Sequence, residues 1–456
     1  MTLLEQLGAH VAGAYRANLS ESLRQNLRLH FTDTIAAWIA ASGTLEGRAL
    51  IRFASMRDPD AGANPFGEGI LGRVATGCAL ARLSEIDDIH LASGTTPGAL
   101  IVPAALTIGG LLGASGPAVA EAIAVGYDAM VRLGTALDGA RLLYRGIWPT
   151  YYAAPFGVAA TAARLFGLNP TQSAHALGIA LSLAAPSVGR QSGAAMARWL
   201  AIGNAARNGV FAALSARTGF TGDLGVFEDE FFGATYGVTP DVTALVDALA
   251  DRPALPETSV KPWCAARQTM AAAQALREIV ESGVPVREIS EVLVSVPSLY
   301  LKMIDHGIVP GDRASHLTSV SYQVALAALA PEAMLDIRKA PDRIPGEIRA
   351  FMDRVAVKAD DELLRNYPAS WPARVEMTTS GGKRERLVTH VPGDPQRPLV
   401  EPQIAEKFGR LSAAVLGERG SGDLLRFCLG ALDKDNGPRS LLGKIKRASA
   451  VAAGAG

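Results

Sequence analysis

Asp251-Arg-Pro-Ala-Leu-Pro-Glu-Thr258 is polar, carries two prolines, and separates two textures in a chain of 456 residues. Before it, from Leu3 to about Ala250, the sequence is rich in Ala, Leu and Gly and shows almost no period-2 alternation, so it reads as a succession of helices. Ser20-Glu-Ser-Leu-Arg24 opens one helix, Asp33 to Ala41 continues as a buried one, and Pro170-Thr-Gln-Ser173 begins another. Small residues lie on several faces, as in Ala153 to Ala163 and Ala201 to Ala213, which lets helices approach closely and suits a multi-helix bundle. Strand patterns begin beyond the polar stretch. Ile289-Ser-Glu-Val-Leu-Val-Ser-Val296 alternates, Arg354-Val-Ala-Val-Lys358 is a second short strand, and Ala373 to Thr379, Ser380-Gly-Gly-Lys383 and Arg386 to Val391 make a hairpin. Helical pieces at Thr269 to Ser282 and Val320 to Leu329 lie between them. Past Pro398 the chain turns helical again, from Ile404 to Leu416 and Gly422 to Leu432, and the end from Ala448 to Gly456 is expected to fray. The fold expected is mainly α: a large all-helical domain built from both chain ends, residues 1–257 and 402–456, with a smaller α+β lid domain, residues 258–401, inserted between them.

Composition narrows the function. Lys+Arg and Asp+Glu number 44 each, so no net charge draws the chain to nucleic acid. Apolar residues make up 49% and charged ones 19%, the balance of a soluble globular protein with a large core. Cys78, Cys264 and Cys428 are odd in number and far apart, which fits neither a disulfide framework nor a zinc site. Leu91 to Ala120 has no charge, yet Pro97, Pro103 and Pro117 interrupt it, so a buried core helix is expected instead of a membrane span. The N-terminus lacks a basic start, an apolar run and a cleavage site, and a cytoplasmic location is expected.

Gly67-Glu-Gly-Ile-Leu-Gly72 matches the dinucleotide fingerprint in letters only, because it follows the loop-like Asp58-Pro-Asp-Ala-Gly-Ala-Asn-Pro65 and no strand. Glu85-Ile-Asp-Asp-Ile-His-Leu-Ala-Ser-Gly-Thr-Thr-Pro-Gly98 carries three acids and a histidine from a helix end into the uncharged stretch. A helix end with a solvated loop accounts for it; so does a pocket rim carrying acid/base groups and hydroxyls, since charges beside a core are costly unless paired. Tyr144-Arg-Gly-Ile-Trp-Pro-Thr-Tyr-Tyr152 repeats the theme. Arg190 and Arg198 sit in apolar helical sequence, and Lys261-Pro-Trp-Cys-Ala-Ala-Arg-Gln268 follows the polar stretch. Several such cations at domain boundaries suggest carboxylate clamps.

These residues resemble a family. Glu85-Ile-Asp-Asp-Ile-His90 with Thr96-Pro-Gly98 is similar to E-[FY]-D-D-T-H…H-P-G of the MmgE/PrpD group, Arg145-Gly-Ile-Trp-Pro-Thr150 to its R-G-x-H-x-T, and Phe156 to Leu168 to the helix after it. Gly219-Phe-Thr-Gly222, Lys261-Pro-Trp263, Ser319-Val-Ser-Tyr-Gln-Val-Ala325, Gly393-Asp-Pro-Gln-Arg-Pro398 and Lys407-Phe408 resemble further motifs in the expected order. The resemblance implies a homodimer and an active site in an interdomain cleft, with no metal or organic cofactor. It also implies a small polycarboxylate substrate, as for 2-methylcitrate dehydratase, cis-aconitate decarboxylase and iminodisuccinate epimerase. Thr96 and Trp148 stand where relatives carry histidine, Ile89 where many carry threonine, and Arg198 where they carry lysine.

The activity expected is a cofactor-independent lyase or isomerase that removes a proton next to a carboxylate of a small di- or tricarboxylic acid. The developing enolate charge must be neutralised, which Arg198, Lys261 and Arg267 can do. Proton transfer falls to His90, Tyr152, Lys261 or Tyr322, with Asp88 orienting the His90 imidazole or holding a protonated partner. Glu85, Thr96, Trp148 and Thr150 complete the expected binding residues. An epimerase of the iminodisuccinate type and a catalytically silent carboxylate binder are the alternatives.

Overall fold

The computed structural model describes residues 1–15, 19–56, 69–185, 195–249, 251–338, 341 and 343–452. Arg190, the stretch from Asp58 to Pro65, and Gly67 lie outside the described residues. The protein is mainly α with a smaller α+β region. Contacts group the described residues of Met1–Gln191, Met196–Val260 and Val400–Gly456 into one compact unit, and those of Ser192–Ala195 and Lys261–Leu399 into a second.

The first unit is built from α1 (Leu3–Gly13), α2 (Glu21–Ser42), α3 (Gly69–Leu83), α4 (Gly98–Leu112), α5 (Gly116–Ala136), α6 (Pro149–Leu165), α7 (Pro170–Ser182), α8 (Ala197–Arg217), α11 (Glu401–Ala431) and α12 (Gly437–Ala452). Ser20 caps α2 by accepting the Leu23 N–H, and Asn169 caps α7 in a reciprocal box with Gln172. The helix α6 packs on both α5 and α8, α2 packs on α11, and α1 on α7. Every residue of α2 from His30 to Ser42 is buried, so this helix is covered on all sides and has room for a charge only if another charge meets it. The uncharged stretch forms α4 and the start of α5, buried from Gly98 to Gly110. Among the described residues no helix is long and apolar enough to cross a membrane.

The second unit holds α9 (Arg267–Glu281), α10 (Val320–Leu329) and a sheet of β1 (Ile289–Val296), β2 (Val355–Ala359), β3 (Ala373–Thr379) and β4 (Gly382–Val388). The strand order is β2-β1-β3-β4, with β1 and β2 parallel and the other neighbours antiparallel. Ala373, Val375 and Met377 of β3 point to the buried face, where α9 packs.

Two boundaries differ from the sequence reading and one agrees. The strand β4 begins at Gly382 and not at Arg386, because all its side chains but the last are exposed and leave no apolar alternation to read. The two C-terminal helices read from the sequence are both present within α11, separated at Gly417, which takes φ 68° and ψ 165°; a positive φ there is open to glycine without a Cβ penalty. The Gly/Ala-rich end stays helical through Ala452, because Leu441, Ile445 and Ala448 of α12 are buried.

Candidate functional site

The turn after α3 gathers charge. Arg82, in the last turn of that helix, donates to Glu85 (2.9 Å) and Asp87 (3.3 Å). The Ser84 hydroxyl accepts the Ile86 N–H, and Glu85 adopts a left-handed φ of 60°. The Arg82 guanidinium lies 5.9 Å from the centre of the Trp148 ring, and Trp148 meets Tyr151 edge-on at 6.1 Å. Trp148 precedes α6 and Tyr151 lies in its first turn, so three residues of helical spacing place both rings on one side. The Tyr151 hydroxyl donates to the Arg198 carbonyl at 3.2 Å. Burial pushes the Tyr151 phenol up to about 12, with Arg82 and Arg198 opposing the rise and Glu85 adding to it. Arg198, half-buried with its guanidinium 4.8 Å from the Trp199 ring, has no carboxylate partner among the described residues. Thr96 is tied to α6: its N–H and hydroxyl meet Thr150 Oγ1 at 3.1 and 3.2 Å.

Asp88, one residue beyond Asp87, is buried. Its carboxylate accepts from His30 Nδ1 (2.8 Å), the Tyr127 hydroxyl (2.6 Å) and the Gly98 N–H (2.7 Å). It thus caps α4 from a distance, where the helix dipole favours negative charge. Glycine at position 98 is required by this approach, since a Cβ would lie 2.7 Å from both Asp88 oxygens. Burial and the Asp88 charge push the Tyr127 phenol well above its ordinary range. Beside this group, Lys407 of α11 pairs with Asp33 of α2 at 2.5 Å and donates to the Ile86 carbonyl at 3.4 Å.

The expectation that Asp88 orients His90 is corrected by these bonds. His90 points elsewhere: its Nδ1 accepts the Ser93 N–H (3.2 Å) and lies 3.0 Å from Ser93 Oγ. A backbone N–H can only donate, so the neutral ring carries its proton on Nε2, which faces Glu257 at 3.8 Å. Both residues line a cavity of about 350 Å³ with Arg132, Asp241, Asp247 and Arg252, and none of Arg82, Glu85, Thr96, Trp148, Tyr151 or Arg198 lines it. The His90 imidazole, followed by Arg252, holds the Glu257 carboxyl below its usual range against the effect of burial.

Tyr152 is turned into the helical core, with its ring 5.2 Å from that of Tyr236. Its hydroxyl has no hydrogen-bond partner among the described residues, and burial raises its phenol well above the ordinary range. In the second unit Lys261 is buried. Arg267, expected to bind substrate, donates from Nη2 to Asp394 at 2.6 Å, both side chains being 1% exposed or less, while its Nε and Nη1 meet no hydrogen-bond partner among the described residues. Tyr322 enters α10 with its N–H on Ser319 Oγ, and burial raises its phenol. Its ring meets His316 edge-on at 5.1 Å. His316 Nδ1 donates to the Asp312 carbonyl at 2.7 Å, which leaves Nε2 as the basic nitrogen.

The structure therefore brings Glu85, Trp148 and Arg198 into one cluster, sets Thr96 on Thr150 beside it, and adds Arg82 and Tyr151, which sequence reading passed over. Arg82 carried a signal, a cation three and five residues ahead of two acids. Tyr151 carried none that separates it from Tyr152, because both lie within helical reach of Trp148. Among the described residues no group of three or more His, Cys, Asp or Glu side chains is placed to hold a metal ion.

Residues 5–242 match the MmgE/PrpD N-terminal domain and residues 263–425 the MmgE/PrpD C-terminal domain. The chain is 33% identical over 173 residues to a cis-aconitate decarboxylase of Aspergillus terreus, a match that spans 36% of this chain and 35% of that protein. It is 32% identical over 160 residues to a cis-aconitate decarboxylase-like protein of Aspergillus oryzae, covering 33% of this chain and 32% of that one. The chain thus spans about a third of the length of these curated relatives.

Proposed function

The chain belongs to the MmgE/PrpD family, and on that premise we propose that it is a lyase acting on a small di- or tricarboxylic acid by removing a proton next to a carboxylate. The observation that carries this reading is Arg198, a half-buried cation with no carboxylate partner among the described residues, set beside the Tyr151 phenol and the Arg82–Glu85 pair. An arginine fork takes a substrate carboxylate in two parallel bonds, and the charge that develops on proton removal is neutralised in place. Tyr151, protonated at neutral pH, donates a hydrogen bond or a proton; Glu85 is the nearby carboxylate able to accept one. Thr96 and Thr150 supply hydroxyls. In the second unit we keep Lys261 and Tyr322 as proton-transfer groups and add His316, whose Nε2 is the basic nitrogen. The proposed reaction uses no metal or organic cofactor, and the active protein is a cytoplasmic homodimer.

The test is incubation with cis-aconitate, citrate, methylcitrate, iminodisuccinate and tartrate in heavy water containing EDTA. Entry of solvent deuterium, or conversion of any of these acids, is the expected result; exchange without net conversion identifies an epimerase. One observation favours a silent binder as the second reading: Thr96 and Trp148 bring no titratable group to the cluster. Thermal stabilisation by an acid without exchange selects that reading. Activity that EDTA abolishes and a metal ion restores overturns the cofactor-free proposal.

A further inference from the structure

Glu85 holds a left-handed backbone conformation, which a residue with a Cβ keeps only when its surroundings fix it. Glu85 and Asp87 grip Arg82 from the two sides of Ile86, so the direction of both carboxylates depends on the peptide between them. The carbonyl of Ile86 accepts from Lys407 Nζ, and that ammonium is paired with Asp33 at 2.5 Å. Lys407 and Asp33 are 4% and 1% exposed. Burial raises the Asp33 carboxyl, and Lys407 is the strongest influence opposing the rise. Stability alone gives little reason for such a pair, because two apolar side chains of similar volume serve a core as well or better. The third contact, onto a main-chain carbonyl in the turn, is what an apolar pair cannot supply.

We infer that Lys407 is a positioning residue: from the C-terminal helix it fixes the Ile86 carbonyl, and with it the turn that presents Glu85 and Asp87 to Arg82, while Asp33 aims its ammonium. The inference rests on reading that cluster as the carboxylate site, and its test separates the two. In Asp33→Leu/Lys407→Met no charge is left buried alone, so folding is retained. Hydrogen exchange of residues 84–90 in this variant rises about tenfold or more, while exchange in α5 is unchanged. Affinity for cis-aconitate, measured by calorimetry, falls about tenfold, although neither substituted residue belongs to the binding cluster. Lys407→Arg, which keeps a charge opposite Asp33 but replaces the point charge with a planar fork, also raises exchange at 84–90 and serves if the double variant does not fold. Wild-type exchange at 84–90 in a folded variant overturns the inference. If exchange rises and wild-type protein itself binds no cis-aconitate, the positioning role stands and the assignment of the carboxylate site falls.

Discussion

Arg82 and Arg267 each face an aspartate inside their own unit, yet their surroundings differ. Arg82 shares its guanidinium between Glu85 and Asp87 and lies near the Trp148 ring, and the Glu85 side chain keeps 16% of its surface exposed. Arg267 meets Asp394 with no exposed surface on the carboxylate. Asp394 is itself held in a tight turn, where its carboxylate accepts the Val391 N–H at 2.8 Å. Only the first arginine has a carboxylate partner with solvent access, Glu85; the second meets one that is sealed. A cation in apolar sequence is thus an ambiguous sign, since one such residue meets a carboxylate that keeps access to solvent and the other a carboxylate that does not.

The largest expected effect breaks the sealed pair. Arg267→Met leaves Asp394 buried without its cation and is expected to destabilise the protein by about 3–5 kcal/mol in chemical denaturation, with most of the loss recovered in Arg267→Met/Asp394→Leu. Wild-type stability combined with lost acid binding would reverse the comparison and return Arg267 to the binding residues. Next, Arg198→Gln is expected to cost about 2 kcal/mol of cis-aconitate affinity, roughly 30-fold, with the unfolding midpoint unchanged. A fall in stability of that size, with affinity intact, would make Arg198 a second sealed cation. Smaller again, Trp148→Ala removes the aromatic face beside Arg82 and is expected to weaken acid binding by about 0.5–1 kcal/mol, read by the same calorimetry.

The smallest effect concerns the pair at the open cavity. Glu257 is 53% exposed on its side chain, so Glu257→Gln is expected to change stability by less than about 1 kcal/mol at neutral pH. Its folded carboxyl sits below the ordinary value of 4.5, so the contribution is present above that value and is lost as pH falls through the lowered one. Denaturation of wild-type and variant protein should therefore converge in acid. A difference that persists there would show that Glu257 acts by packing and not by charge.

Much of this was legible in the sequence, for reasons that vary by element. The alternation of Ile289 to Val296 and the small-residue helices state their own burial, and α10 spans Val320 to Leu329 as the pattern predicts. The strand β4 was blurred because it exposes nearly every side chain. Around the site, the acids and hydroxyls from Glu85 to Gly98 were visible as a group, but their pairing was not. Asp88 and His90 are two residues apart and turn to different neighbours, because Asp88 is claimed by His30 and Tyr127, 58 and 39 positions away, and His90 by Ser93 and Glu257. Partners that distant leave no local trace. Lys407 illustrates the limit: nothing near it in sequence announces Asp33.

That last contact bears on how the protein is made. Asp33 leaves the ribosome early and Lys407 late, with the whole of the second unit, Lys261–Leu399, synthesised between them. Until α11 emerges, α2 has α3, α4 and α5 to pack on but lacks both α11 and the only cation its buried aspartate meets in ion-pair contact among the described residues. The helical unit therefore completes itself last, after a later-encoded unit has had time to form. In the interval the nascent chain carries an apolar helix with an unpaired acid on it, a state in which delay favours chaperone engagement or aggregation over a native but inactive intermediate.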